Sequence, residues 1–472
     1  MVKPEGYGGD CLVGNDNQLQ SQAEFVKKFL LQPGDCTFVY YLNRLMILRY
    51  IFLPLVFLTH FVIASAQQSA TDQGSSGRAR NTSTGSKYAA IAGKWRGEFQ
   101  LRPDVKVPFN FEITGDNDNP VVIFHNGDEK FEGGRVSWQK DSLFIGLDQF
   151  GNEMAFGMAK DRLNGSLRKQ DGSGFPTNVI AQKNITTRFG VPTRQSSQTM
   201  SGTYDVVFKN SDGSTEKGVG LFEQEGAIVK GTFLRITGDS RYLEGVLNGD
   251  KFELSSFIGS SPSYYRGSIN VDGTLTGESV GAMSSLPFTA TPNEDAKLAD
   301  PYKLTYLKEG YNEFAFSFPD VEGNLVSLKD PRFKNKVVIV TIAGSWCPNC
   351  MDETNFLVPW YKENKDRGIE IVALHYERQT DKEWVKKTLN RYKERFGVPY
   401  LQLFAGKADK QAVAASLPSL NTFLSFPTTI IIDQRGKVAK IHTGFSGPAT
   451  GKFFEEFVRE FNNDIDALVG KQ

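Results

Sequence analysis

The feature that most restricts how this chain can fold is an apolar run that leads into a closely spaced cysteine pair. Residues 336–343 (KVVIVTIA) are almost continuously apolar, which is typical of a strand buried on both faces of a parallel sheet. A short turn over residues 344–346 separates this run from Cys347 and Cys350. Pro348 lies between them, and proline is well tolerated at the first position of a helix because its missing N–H costs little there. The pattern therefore predicts a strand, a turn and a helix from 348 to about 365.

This placement of the cysteines predicts thiol–disulfide exchange. A helix N-terminus offers free N–H groups and the positive end of a dipole, both of which stabilise a thiolate. We expect Cys347 to be the exposed attacking thiolate, flanked by Trp346, and Cys350 to be the resolving thiol that closes the disulfide. Glu353 lies three residues further along the same helix. It either accepts the proton of Cys350 through water, or is a solvated helix carboxylate or a first-turn acid favoured by the helix dipole.

A second motif, Phe426-Pro427-Thr428, stands directly before another apolar strand. A proline at this place in such a fold is normally cis. It brings the backbone of its neighbours beside the cysteine pair, where a substrate chain can dock. The candidate substrate-binding residues are therefore Trp346, Phe426, Pro427 and Thr428.

Apolar periodicity predicts the remaining elements of this part of the chain. Helices are expected over 382–396 and 452–468, and strands over 369–374, 400–404, 428–432 and 438–442. The resulting β-α-β then β-β-α order is that of the thioredoxin fold. His375 and Glu377 follow the second strand at the edge where ligands usually bind to parallel sheets, and a catalytic role for them is a weaker alternative to a structural one.

The middle of the chain contains an internal repeat. Gly93, Lys94 and Trp95 match residues 202–204 at an offset of 109, and residues 163–165 match 275–277 at an offset of 112. Alternating apolar residues between Gly, Asp and Asn turns predict antiparallel strands. The fold class is therefore multidomain. Two tandem all-β modules, barrel- or sandwich-like, precede an α/β thioredoxin fold. We place the domains at 88–185, 200–291 and 311–472.

The N-terminal part has the pattern of an exported protein. Residues 46–66 combine Arg49, an apolar stretch and an Ala-Ser-Ala site, as a secretory signal peptide does. Cleavage is expected after Ala66, with an uncleaved membrane anchor as the alternative. Residues 67–87 are rich in Ser, Gly, Thr and Gln and predict a flexible linker. We expect translation to start at Met46, which would make residues 1–45 a mis-annotated upstream segment.

Composition excludes several classes of function. Lys plus Arg and Asp plus Glu each number 54, so there is no net charge to attract nucleic acid. Four cysteines and four histidines show no zinc-site spacing. We expect neither a metal nor a separate cofactor. If residues 1–66 are absent from the mature protein, Cys347 and Cys350 are its two cysteines, and no disulfide framework can form.

The chain resembles the TlpA- and ResA-type disulfide reductases of the thioredoxin superfamily, within the AhpC/TSA–redoxin clan. The resemblance is carried by residues 344–350 (GSWCPNC), Glu353, residues 426–433 (FPTTIIID) and residues 436–438 (GKV), and it covers about a third of the chain. It implies that Cys347 attacks, Cys350 resolves, Glu353 assists and Pro427 is cis. The chain itself differs from cytoplasmic thioredoxins in two ways. It has Thr341 where they have a buried aspartate, and it has a long additional segment over 379–423.

The resemblance implies an extracytoplasmic oxidoreductase, located in the periplasm or cell envelope and in contact with the membrane only through its signal or anchor segment. Its expected partners are disulfide-containing envelope proteins and a membrane thiol electron donor, with no nucleic acid. One alternative is a peroxiredoxin-like thiol peroxidase, although Val340 and Gly344 stand near the places where that family needs proline and threonine. A second is an envelope binding protein that uses the β modules, and a third is a copper-handling variant.

Overall fold

The computed structural model describes residues 83–470 except Asn117. The predicted signal peptide, the segment before it and most of the predicted linker lie outside the described residues. Among the described helices, none combines the length and the apolar character that a membrane span requires.

The end of the predicted linker is helical, contrary to expectation. Helix α1 spans Ser83–Ile91 and therefore includes residues 83–87. Its last turn is held by tertiary contacts: Ile91 is fully buried, its carbonyl accepts a hydrogen bond from Trp95 Nε1 at 2.7 Å, and Tyr88 donates to the carbonyl of Gly115 at 2.7 Å. Short helices depend on such packing more than on propensity, which is why local composition did not reveal this one.

The first β module is a closed, eight-stranded antiparallel barrel. Strands such as β3 and β5 alternate buried and partly exposed residues along their length, as one-sided burial requires. The interior is filled by stacked phenylalanines, and Phe257 from the second module inserts among them, 4.7 Å from Phe99 between ring centroids. The strands are β1 Gly93–Arg102, β2 Val105–Thr114, β3 Val121–Asn126, β4 Glu129–Gln139, β5 Ser142–Leu147, β6 Asn152–Ala159, β7 Arg162–Lys169 and β8 Thr177–Lys183.

The second β module repeats the first. Eight of its strands close into a ring because β10 pairs with both β9 and β11, and the two-residue β12 is added beside β11. Gly202 begins β9 as Gly93 begins β1, so the predicted duplication is confirmed, as two barrels rather than a sandwich. The strands are β9 Gly202–Lys209, β10 Thr215–Glu225, β11 Ile228–Arg235, β12 Gly238–Asp239, β13 Leu243–Asn248, β14 Lys251–Ser256, β15 Ser263–Ile269, β16 Leu275–Val280 and β17 Ser285–Pro292.

The C-terminal part has the predicted thioredoxin fold. A five-stranded sheet has the order β22-β21-β20-β23-β24, with β20, β21 and β22 parallel and the last two antiparallel. A small hairpin, β18 Ser317–Pro319 and β19 Leu325–Ser327, and helix α4 Lys410–Ser416 were not predicted. The other elements are β20 Val337–Ala343, α2 Pro348–Asn364, β21 Ile369–Glu377, α3 Lys382–Phe396, β22 Leu401–Lys407, β23 Thr428–Ile432, β24 Val438–Thr443 and α5 Lys452–Val469.

Candidate redox site

The cysteine pair lies where the fully buried strand β20 turns into helix α2. Cys347 is the N-cap of α2, and its Sγ accepts a hydrogen bond from the backbone N–H of Cys350 at 3.3 Å. Both side chains are free thiols. This is the helix N-terminal position at which N–H groups favour a sulfur anion.

Cys347 is less accessible than the sequence suggested. Only 5% of its surface is exposed, so the prediction of an exposed thiol is wrong. Its Sγ lies 3.6 Å from the carbonyl oxygen of Phe426, and the ring of Phe426 packs edge-on to Trp346 with centroids 5.4 Å apart. Phe426 lies 79 positions along the chain from Cys347, so the cysteine motif by itself does not reveal this cover.

Cys350 is fully buried one turn into the helix. Burial raises the pKa of its thiol well above the ordinary value, and its contact with Cys347 acts in the same direction. A buried thiol with a high pKa is a poor first nucleophile but needs only a nearby base to become a second one. The two sulfurs thus differ in depth, and the assignment of Cys347 as attacking and Cys350 as resolving thiol stays a prediction.

Glu353 is buried between α2 and the sheet, with 3% of its surface exposed. The alternative of a solvated carboxylate is therefore wrong. The Thr429 hydroxyl donates a hydrogen bond to Glu353, and Thr429 is paired across the sheet with Thr341. Burial raises the pKa of Glu353 to about 7, although the hydrogen bond from Thr429 opposes this. A carboxyl that titrates near neutrality is suited to general acid–base chemistry.

The loop beside the cysteines contains the cis peptide bond that the sequence predicted, between Phe426 and Pro427. Thr428 is fully buried, and its hydroxyl donates to the carbonyl of Ser425 at 2.8 Å. The side chain of Thr428 therefore holds this loop, whereas Phe426 and Trp346 are partly exposed at the site. Binding of substrate by these residues stays a prediction.

Glu377 anchors the turn in front of Cys347, a role the sequence did not indicate. It is fully buried and accepts hydrogen bonds from the backbone N–H of Ser345 at 2.9 Å and from its hydroxyl at 2.7 Å. His375 is also buried, with Nδ1 3.6 Å from Glu377. Arg378 lies over the Trp346 ring at 4.6 Å. The sequence had indicated only that His375 and Glu377 stand at the end of this strand, β21. It had not singled out Arg378.

Comparison with known proteins places this domain among thiol–disulfide oxidoreductases. Residues 311–453 match the Redoxin family model. Over 142 residues, 30% of this chain and 72% of the relative, the sequence is 32% identical to the thiol-disulfide oxidoreductase ResA of Bacillus thuringiensis strain Al Hakam. Over 151 residues it is 27% identical to ResA of Halalkalibacterium halodurans, spanning 32% of this chain and 76% of that protein.

A solved structure is also similar to part of this chain. The thioredoxin domain of a thiol-disulfide oxidoreductase from Bacteroides vulgatus is 27% identical and has a TM-score of 0.25, with 32% of this chain and 99% of that chain covered.

Proposed function

The chain belongs to the ResA-type thiol–disulfide oxidoreductases of the thioredoxin superfamily, and on that premise we propose that it reduces protein disulfides outside the cytoplasm through Cys347 and Cys350. The observation that carries the proposal is a dithiol at a helix N-terminus, beside a cis-proline loop and a buried carboxyl that titrates near pH 7.

Exchange begins at Cys347. Its thiolate attacks one sulfur of a substrate disulfide, forms a mixed disulfide with that half and releases the other half as a thiolate, which takes up a proton from water. The backbone N–H of Cys350 already donates a hydrogen bond to the Cys347 sulfur at 3.3 Å. The backbone of Phe426 lies on the other side of the same sulfur and bounds the space that a substrate chain enters.

Cys350 completes the reaction. Glu353 accepts its proton through water, and the new thiolate attacks the sulfur of Cys347. The substrate sulfur leaves as a thiolate and is then protonated. Two electrons have moved to the substrate, and Cys347 and Cys350 are joined as a disulfide. A dithiol donor, which we propose to be a membrane thiol protein, returns the pair to the reduced state by the same two exchanges.

Export rests on the signal-peptide pattern of residues 46–66. The proposed substrates are disulfide-bonded proteins of the periplasm or cell envelope. Cys347 and Cys350 are the two cysteines of residues 67–472. Redox measurements on a protein of residues 67–472 therefore report this pair alone.

The test is the redox potential of the pair in residues 67–472, measured by equilibration with glutathione and read by mass. A potential below about −230 mV, toward the thioredoxin value of about −270 mV, supports a reductase. A value near −120 mV contradicts reduction and indicates an enzyme that installs disulfides. Failure of the pair to cycle rejects exchange altogether, and rapid oxidation by hydrogen peroxide at Cys347 alone would favour the peroxidase alternative.

A further inference from the structure

A segment of the second barrel lies against the two loops that frame Cys347. This segment, here named the barrel tip, comprises residues 236–241 and includes strand β12. The carbonyl of Thr237 accepts a hydrogen bond from Ser425 Oγ at 2.9 Å, and the carbonyl of Asp239 accepts one from Asn349 Nδ2 at 3.4 Å. Ser425 directly precedes the cis-proline pair, and Asn349 lies between the two cysteines. The barrel tip therefore spans the site from one framing loop to the other.

Side-chain contacts fix the barrel tip in this place. Asp239 accepts a hydrogen bond from the backbone N–H of Gly447 at 2.7 Å. Arg241 donates to the carbonyl of Pro348 at 3.1 Å and forms an ion pair with Asp352 on helix α2. Each of these partners belongs to the redox domain, so the tip is bound to it at several points.

The backbones approach so closely that side chains are excluded at two glycines. A Cβ atom on Gly238 would lie 2.6 Å from Asn349 Nδ2, and one on Gly444 would lie 2.4 Å from the carbonyl oxygen of Ile236. Real Cβ atoms essentially never come this close to another heavy atom. The barrel tip and the redox domain thus fit as matched surfaces.

The first barrel contacts the turn on the other side of the cysteine. Gln149 Nε2 donates a hydrogen bond to the carbonyl of Ser345 at 2.6 Å. Cys347 itself, 5% exposed, is covered by Trp346 and Phe426 of its own domain. The two barrels contact the loops on which Trp346 and Phe426 stand.

A mixed disulfide makes strict demands on space. Its two Cβ atoms lie about 3.5–4.5 Å apart and its two Cα atoms about 4.4–6.8 Å apart. The backbone of a substrate must therefore come into direct contact with the loops around Cys347. Those loops are the ones that Thr237 and Asp239 already occupy.

We propose that the barrel tip is the specificity-determining element of this oxidoreductase. It admits small disulfides, and protein disulfides carried on narrow, exposed segments, and it slows the reaction of disulfides surrounded by folded structure. This inference rests on the proposed function for its substrates, but the accessibility of Cys347 is a separate, directly measurable quantity.

The test uses a substitution in the redox domain whose tightest new contact is with the barrel tip. Gly447 has φ −71° and ψ 174°, a conformation open to any residue. A Cβ there would lie 2.7 Å from Asp239 Oδ2 and 3.1 Å from Asp352 Oδ2. Gly447→Val should therefore push the tip away. The matched control is Gly190→Val, because a Cβ at Gly190 meets nothing within 4 Å.

The first measurement is alkylation of reduced Cys347, mapped by mass, in residues 67–472. Iodoacetamide is the small probe and a polyethylene-glycol maleimide the bulky one. We expect Gly447→Val to raise the rate at which the polyethylene-glycol maleimide alkylates Cys347 about tenfold. This is the change expected when contacts worth one or two hydrogen bonds are lost. The iodoacetamide rate and both rates of Gly190→Val should stay close to wild type. Equal bulky rates in wild type and Gly447→Val would overturn the proposal.

The second measurement compares reduction of hydroxyethyl disulfide with reduction of insulin. Gly447→Val should raise the insulin rate relative to the small disulfide, and Asp239→Ala, which loosens the tip from the barrel side, should do the same. If neither variant changes the ratio, the tip does not select substrates. If neither the wild type nor any variant reduces hydroxyethyl disulfide, the proposed function fails. The ratio of the maleimide to the iodoacetamide alkylation rate still decides whether the barrel tip restricts access to Cys347.

Discussion

At the scale of single residues, Glu353 combines burial with a position one helical turn after Cys350. Thr429 gives it one hydrogen bond, and burial raises its pKa to about 7. A carboxylate in such surroundings has a stronger drive to take up a proton than one in water. Its burial and position are what the proposed role, receiving the proton of Cys350, requires.

Replacement of Glu353 should slow the second step of exchange and leave the first unchanged. In Glu353→Gln we expect closure of the Cys347–Cys350 disulfide to fall about 100-fold, a typical loss for a general base. Wild-type closure should also rise with pH through about 7, and the variant should lack this rise. Stopped-flow release of a mixed disulfide measures the step. Glu363→Gln, an exposed glutamate on the same helix, is the control, and equal closure rates in the two variants would contradict the role.

The same burial predicts how stability depends on pH. Because the pKa of Glu353 is raised from 4.5 to about 7 in the folded state, folding favours its protonated form. This contribution is complete below the unfolded pKa and is lost as pH rises through about 7. At about 1.4 kcal/mol per pKa unit, the loss is up to about 3 kcal/mol. The Tm of Glu353→Gln relative to wild type should therefore increase between pH 5 and pH 8, and parallel Tm curves would refute the shift.

At the scale of elements, the turn between β20 and α2 is fixed from the end of β21. Ser345 gives both its N–H and its hydroxyl to the buried carboxylate of Glu377. Two adjacent parallel strands thus determine the direction in which the turn presents Trp346 and Cys347. The arrangement explains why a carboxylate is tolerated at zero exposure: its oxygens are hydrogen-bonded to the turn that it holds.

Loss of one of these hydrogen bonds should destabilise the redox domain. Ser345→Ala leaves Glu377 buried with one donor fewer, which costs about 1–3 kcal/mol for an unsatisfied buried group. Urea unfolding measures the change. Ser317→Ala, on the exposed first residue of β18, should change stability by less than about 0.5 kcal/mol. If both variants had the same midpoint, the anchor would contribute nothing.

The sequence predicted the elements whose apolar periodicity can be read from their own residues. Strand β20 is buried on both faces and helix α5 carries an apolar stripe of Phe457, Phe461 and Ile465, so periodicity revealed both. Helix α1, by contrast, depends on a pocket in the barrel for Ile91, and local composition suggested a linker. The burial of Cys347 was missed for the same reason, because Phe426, 79 positions along the chain, provides part of its cover.

At the scale of the whole molecule, Arg241 joins the three domains. It extends from the second barrel and forms ion pairs with Glu129 of the first barrel and Asp352 of the redox helix. All three side chains are at most 9% exposed. Burial raises the pKa of Asp352 to about 7, against the effect of Arg241. Such a cluster is stable as a set, but removal of one member leaves buried charges without a partner.

Removal of the Arg241 side chain should therefore uncouple the redox domain from the barrels. Arg241→Ala leaves Glu129 and Asp352 buried without their cation, a change that typically costs about 3–5 kcal/mol. We expect calorimetry to show an earlier transition for the redox domain, separate from that of the barrels. Asp352→Ala combined with Arg241→Ala should cost less than the sum of the single variants, because the double variant has one fewer unpaired charge. Strictly additive losses, or a single unshifted transition in Arg241→Ala, would show that the cluster does not hold the domains together.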